Sequence, residues 1–169
     1  MIRCIMDLAR AATLLPPAGC GIYSFSGTSI QSDVQSICIE PVVNKAQKVN
    51  PSLANQLTEA LNDKFRKLTK LEQVQEDGDL NLTVTIVSYD VRAGAITANE
   101  VAALNRLTVT CEIAFTNVKH PDDNIDKQSF AAYEDYDSNN SLDMVEAQLC
   151  DTIIEKLVED IFNATVAQW

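Results

Sequence analysis

The sequence predicts an α+β two-layer sandwich, a mixed sheet of about four strands with two helices packed on one face. Three observations carry this. Leu80, Leu82, Val84 and Ile86 alternate with Asn81, Thr83 and Thr85, while Leu107, Val109, Cys111, Ile113 and Phe115 alternate with Thr108, Thr110, Glu112 and Ala114. A period of two marks a half-buried strand. Two other stretches space apolar residues as a helix does: Leu53, Leu57, Leu61, Phe65 and Leu68, then Leu142, Val145, Leu149, Ile153, Leu157 and Ile161. Each helix has a single apolar stripe, so both should cover the same sheet face and leave the other polar or partnered. Thr83, Thr85, Thr108, Thr110 and Thr116, on the opposite side of their strands, fit that expectation.

In chain order, residues 34–43 read as a strand, with Ile37, Ile39 and Val43 inward. Asn50-Pro51-Ser52 then opens the first helix, with Asn50 as N-cap and Pro51 at a position where a missing N–H is tolerated. A short extra strand is expected at 71–74. Glu76-Asp77-Gly78-Asp79 forms a turn into the first alternating strand. Residues 92–104 are a loop containing Gly94, and His120-Pro121-Asp122-Asp123-Asn124 is the turn after the second alternating strand. Residues 129–136, with Phe130, Tyr133 and Tyr136, form the next strand. Ser138-Asn139-Asn140-Ser141 supplies caps for a final helix of about 25 residues, ample to cross a sheet. The order is β–α–β–β–β–α, with no internal repeat.

A chain of 169 residues suits one domain with a single good core. With 46% apolar and 22% charged residues it has the balance of a globular domain, and no apolar run approaches the roughly 18–20 residues of a spanning helix. The formal net charge of −11 argues against binding nucleic-acid phosphates, which needs clustered Lys and Arg. The charge is also uneven. Lys45, Lys48, Lys64, Arg66, Lys67 and Lys70 lie in the first half, whereas beyond His120 a long series of acids from Asp122 to Asp160 faces only Lys127 and Lys156. This hints at oriented docking; two solvated faces are the plainer alternative.

The five cysteines, Cys4, Cys20, Cys38, Cys111 and Cys150, form no CxxC pair, and His120 is the single histidine, so ordinary zinc spacings are excluded. The odd count fits a leader carrying away Cys4, a modified Cys20 and three buried thiols. A Cys38–Cys111 bridge between strands is the alternative. Residues 1–19 have the layout of a secretory leader: Arg3 at a positive start, a short apolar stretch from Ala11 to Leu15, and Ala18-Gly19 before Cys20. The small pair ahead of Cys20 resembles a lipoprotein signal, although Pro17 replaces the usual Leu and Asp7 and Arg10 interrupt the apolar core. An amphipathic helix ended by Pro16-Pro17 is the other reading. Acyl chains on Cys20 would tether the domain to a bilayer, each buried CH₂ contributing about 0.8 kcal/mol. Residues 20–32 would be the tether and 33–169 the domain.

Catalytic groups are sparse. His120 stands at a turn without a visible orienting partner, and there is no GxSxG or phosphate-cradling Gly-rich loop. Glu134, Asp135 and Asp137 offer the material for a carboxylate pair or a cation site, but adjacent strand positions face opposite sides and no ligand loop surrounds them. The chain therefore reads as non-enzymatic, without cofactor or metal; a periplasmic hydrolase using these carboxylates is the alternative.

Several stretches resemble the LptE family of lipopolysaccharide-assembly lipoproteins. They are Cys20-Gly-Ile-Tyr-Ser-Phe-Ser-Gly-Thr-Ser29; Asn50-Pro-Ser-Leu53 with Glu59-Ala-Leu61 and Lys64-Phe65; Gly78-Asp-Leu80; Ile96-Thr-Ala-Asn-Glu100 leading to Leu104-Asn-Arg-Leu-Thr108; and Gln128-Ser-Phe130, Tyr136-Asp137 and Glu159-Asp-Ile-Phe162. No one motif is specific; their order and coverage, from Cys20 to Trp169, carry the resemblance. It implies a lipoprotein lipidated at Cys20 on the periplasmic face of the outer membrane. Its implied partners are the LptD β-barrel, which it helps assemble and plugs as a heterodimer, and lipopolysaccharide. Since lipopolysaccharide carries phosphates, Arg92 and Arg106, flanking the 92–104 loop, are the candidate contacts. Ordinary surface arginines are the alternative. A free-standing, lipid-tethered periplasmic binding module or chaperone of the same fold is the second functional reading.

Overall fold

The computed structural model describes residues 30–48, 50–93 and 103–167. The leader, Cys20 and the centre of the 92–104 loop lie outside them. The elements are β1 (Ser36–Ile39), β2 (Val43–Asn44), α1 (Leu53–Leu68), β3 (Glu72–Val74), β4 (Leu80–Ala93), β5 (Leu104–Asn117), a 3-10 turn (Pro121–Asp123), β6 (Ile125–Asp137) and α2 (Leu142–Val166). They form one mixed sheet in the order β3-β1-β4-β5-β6, with β2 also against β4, so the architecture is the expected α+β sandwich with more strands than expected. The pairings β1–β3, β1–β4 and β2–β4 are parallel, while β4–β5 and β5–β6 are antiparallel.

The expected strand over 34–43 is two short pieces. Pro41 has no N–H to offer a ladder. The register along β4 also slips by one residue between Ile39↔Leu82 and Val43↔Thr85. A slip of one moves side chains to the other face. Val43 is consequently 48% exposed, and Val42 is buried in its place, its N–H donating to Thr58 Oγ1 of α1 at 3.0 Å.

Helix α1 buries Leu53, Leu57, Leu61 and Phe65. Leu68 does not belong to that stripe and is 47% exposed: the i+3 step from Phe65 carries it off the packed face in the last turn. The N-cap is Ser52 rather than Asn50. Asn50 acts two residues earlier, its Oδ1 accepting from Ser52 N at 3.0 Å. Helix α2, from its N-cap Ser141, buries Leu149, Ile153, Leu157 and Ile161 together with Cys150, Ile154, Val158, Phe162 and Val166, a broader face than one stripe because it covers sheet and α1 at once. Phe65 and Phe162 meet edge to face with centroids 5.1 Å apart.

The core lies between the helices and Ile37, Leu80, Leu82, Val84, Ile86, Leu107, Val109, Cys111, Ile113 and Phe115. Cys38, Cys111 and Cys150 are buried free thiols. The bridge is not formed: Cys38 pairs with Asn81 on the open face, and Cys111 with Ile86 on the core face. Burial pushes the Cys111 thiol up to about 12. Between α1, α2 and β4, Tyr89 donates to Glu146 Oε1 at 2.5 Å and Asn50 Nδ2 donates to the same oxygen at 3.1 Å.

At the opposite end of the sheet, Asp79 Oδ2 accepts from Gln35 N at 2.8 Å and Ser36 N at 3.2 Å, and Lys119 Nζ lies 3.1 Å away. Gly78 is required there: a Cβ would stand 2.6 Å from both Cys38 N and Leu80 O. His120, expected to lack a partner, has Nε2 3.0 Å from Asp33 Oδ1, a contact across 87 positions that no local pattern announces.

Candidate functional site: the open sheet face

The face of the sheet away from the helices carries the polar half of each alternating strand. A bulge organises its loop end. Ile86 pairs with Cys111, but Ser88 pairs with Thr110, leaving Val87 as the extra residue. Before Val87 the even positions of β4 are buried; after it Tyr89 is buried and Ser88, Asp90 and Arg92 share the open face with Thr108 and Thr110.

This phase change brings the two candidate arginines together. Arg92 and Arg106 are direct cross-strand partners, and Arg106 is in turn opposite Asp135. The guanidinium of Arg106 forms a two-pronged contact with Asp135, Nε to Oδ1 at 2.7 Å and Nη2 to Oδ2 at 2.9 Å. It also stacks on the Tyr133 ring, 3.8 Å from the centroid. Arg92 Nε donates to Asp90 Oδ2 at 2.6 Å, and its side chain is 83% exposed.

The electrostatics follow from these pairs. The Arg92 hydrogen bond holds the Asp90 carboxyl below the ordinary carboxylate range, with a smaller contribution from Lys48. The Arg106 hydrogen bond does the same for Asp135, and that contact raises Arg106 in return. Arg92, Arg106, Asp90 and Asp135 are thus formally neutral together. Exposed ion pairs of this kind contribute little stability. Each guanidinium keeps N–H donors that its aspartate does not use, so the patch can accept a phosphate beside the carboxylates.

Both arginines are placed beside the loop by the sequence, but the part that Asp90, Asp135, Tyr133 and Lys48 play around them is not legible in it. The two-residue step from Asp90 to Arg92 on a strand was the available local signal; Asp135 and Tyr133 depend on the β5–β6 register. The carboxylates considered as a catalytic pair go separate ways: Glu134 to Lys156, Asp135 to Arg106, and Asp137 to the amide and side chain of Asn139. Among the described residues no group of His, Cys, Asp or Glu could hold a metal ion, and no helix is long and apolar enough to cross a membrane. Cys20 lies outside the described residues.

A family profile described as LptE, lipopolysaccharide-assembly, matches residues 34–165. No curated protein matches the chain. Among solved structures, a homologue of the neuraminyllactose-binding hemagglutinin from Helicobacter pylori superposes with a TM-score of 0.56 at 10% identity, covering 82% of this chain and 87% of that one. A minor lipoprotein from Acinetobacter baumannii gives a TM-score of 0.44 at 15% identity, covering 76% of this chain and 89% of its own. A lipoprotein from Neisseria meningitidis gives 0.42 at 13% identity, covering 76% and 99%. At these identities the Helicobacter likeness is one of fold alone.

Proposed function

The chain belongs to the LptE lipopolysaccharide-assembly family, and from that premise we propose that it is a non-enzymatic outer-membrane lipoprotein that assembles with the LptD β-barrel, plugs it, and helps deliver lipopolysaccharide to the outer leaflet. Its anchor in this reading is an acylated Cys20 at the periplasmic face of the outer membrane.

The observation that carries the reading is the open sheet face. A plug in the lumen of a large barrel meets a polar wall, and a sheet face made of hydrogen-bonding groups suits that wall. Thr83, Thr85, Ser88, Thr108, Thr110 and Thr116 supply such groups across two strands, β4 and β5. Among the described strand residues, Val43 and Tyr133 are the exposed large hydrophobic ones on that face, and the Tyr133 ring is already covered by Arg106. At the loop end, Arg92 and Arg106 would take lipopolysaccharide phosphates through the donors their aspartates leave free. With a net charge of −11, such affinity has to be local.

The test is a mild-detergent pull-down of the full-length chain from native membranes, with mass spectrometry of the partners and of the N-terminal peptide. A stoichiometric large β-barrel and an acylated Cys20 are the expected result. A lone, unacylated protein would overturn the reading in favour of a free-standing periplasmic module of the same fold.

A further inference from the structure

Among the described residues strand β6 closes the sheet on one side and pairs only with β5; it is 13 residues long. The bond from Ser138 N to Ala103 O sets the phase of the β5–β6 ladder. In an antiparallel ladder alternate residues direct both backbone groups at the neighbour. Tyr136, Glu134, Ala132 and Phe130 therefore turn their N–H and C=O groups toward β5, while Asp135, Tyr133, Ala131 and Ser129 turn theirs outward. The outward carbonyl of Tyr133 already accepts a hydrogen bond, from Lys156 Nζ of α2 at 3.0 Å.

A groove of about 540 Å³ runs along this edge, floored by Ala131, Ala132 and Tyr133 and walled by three acids and one lysine of α2, Glu155, Lys156, Glu159 and Asp160. The alanines leave the backbone uncovered. The wall is negative. Glu159 pairs with Lys64, and Lys156 pairs with Glu134 at 2.5 Å, whereas Glu155 and Asp160 are exposed and make no salt bridge with a described residue.

We propose that the β6 edge receives an extended basic segment of a partner protein as an added strand, its backbone pairing with Ser129, Ala131, Tyr133 and Asp135 and its α2-facing Lys or Arg side chains meeting Glu155, Glu159 and Asp160. Long free edges are templates for strand addition, and charged gatekeepers normally guard them. Lys156 is that guard: its ammonium occupies a carbonyl that the incoming strand's N–H would take. Charge complementarity chooses the occupant. A second copy paired about Ala131 would set Lys127 opposite Asp135, but it would also bring two acidic α2 walls together. A basic segment neutralises that wall. The inference does not depend on lipopolysaccharide binding.

The experiment uses the isotope-labelled full-length chain in detergent and three capped seven-residue peptides. One alternates Lys with Val and Thr, one has Glu in place of Lys, and one repeats the Lys sequence with its inward-facing amides N-methylated. The Lys peptide is expected to slow hydrogen exchange at the amides of Ser129, Ala131, Tyr133 and Asp135, while the other two leave them unchanged. Glu155→Lys combined with Asp160→Lys should weaken its binding about tenfold. Ala131→Pro should remove the protection with the circular dichroism unchanged, because the lost N–H points away from β5. No protection at a saturating Lys peptide overturns the proposal. So does equal binding of the N-methylated peptide, an unaltered affinity in the Glu155/Asp160 double variant, or protection of the edge by self-association without any peptide.

Discussion

Arg92 and Arg106 stand directly opposite each other on β4 and β5, yet each guanidinium is held by an aspartate, Asp90 on its own strand and Asp135 on the next. Two like charges at a cross-strand position repel. The aspartates offset that repulsion and leave the pair side by side on an open surface.

Arg106→Glu should weaken lipopolysaccharide binding roughly tenfold with the fold unchanged, since it removes the charge-assisted donors and sets an acid against Asp135. Asp135→Asn should leave that binding intact or strengthen it, because it releases Arg106 from a competing carboxylate. Titration of lipopolysaccharide onto each variant, beside far-UV circular dichroism, checks both. Unchanged binding in Arg106→Glu would remove this residue from the site.

Leu61 is fully buried in α1, and Leu68, one step beyond the stripe, is not. Leu61→Ala is therefore expected to destabilise the protein by about 2–5 kcal/mol. Leu68→Ala should stay within roughly 0.5 kcal/mol. Urea unfolding of the two variants measures the contrast; equal losses would mean that α1 packs on a different face.

Gly78→Ala should be destabilising although alanine is small. The added methyl would press on backbone atoms of both β1 and β4, which cannot swing aside as a side chain does. A loss of about 1–3 kcal/mol is expected from overpacking of this kind. A shift in the urea midpoint with an unchanged slope would report it.

Asp79 gives the fold an acid sensitivity. Its carboxyl is held below the usual range, chiefly by the N–H of Gln35 and next by Lys119. A folded-state value below the unfolded one yields stability that is present above about pH 4 and lost as the pH falls through the folded value. Asp79→Asn should therefore lose less stability than the wild type between about pH 6 and pH 3. Parallel loss in the two proteins would show that other carboxylates dominate acid unfolding.

The parts of the fold that were legible in the sequence are those whose pattern is local. Leu80 to Ile86 and Leu107 to Phe115 alternate strictly, and both are buried as read. The helices and the polar face opposite them follow from the same periodicities. Features governed by a one-residue slip were not legible. Val43 lies outside because β2 is out of step with β1, and the Val87 bulge has no marker residue. Long-range polar pairs were hidden for a related reason. Asp33 with His120 and Arg106 with Asp135 depend on which turns and strands become neighbours. At the candidate site the sequence offered two basic residues near a loop; their shared face, their neutralising aspartates and the Tyr133 stack arise only from register.

The extra residue at Val87 gives β4 two reading frames. Below it even-numbered side chains build the interior, and above it odd-numbered ones do, so the strand's last turn of pleat is set independently of its first. Deleting Val87 would close the bulge into a regular ladder, with Ser88 directly after Ile86 and Tyr89 still beneath the helices. The extra residue therefore bends and twists the loop end of the sheet without deciding which side chains reach the interior.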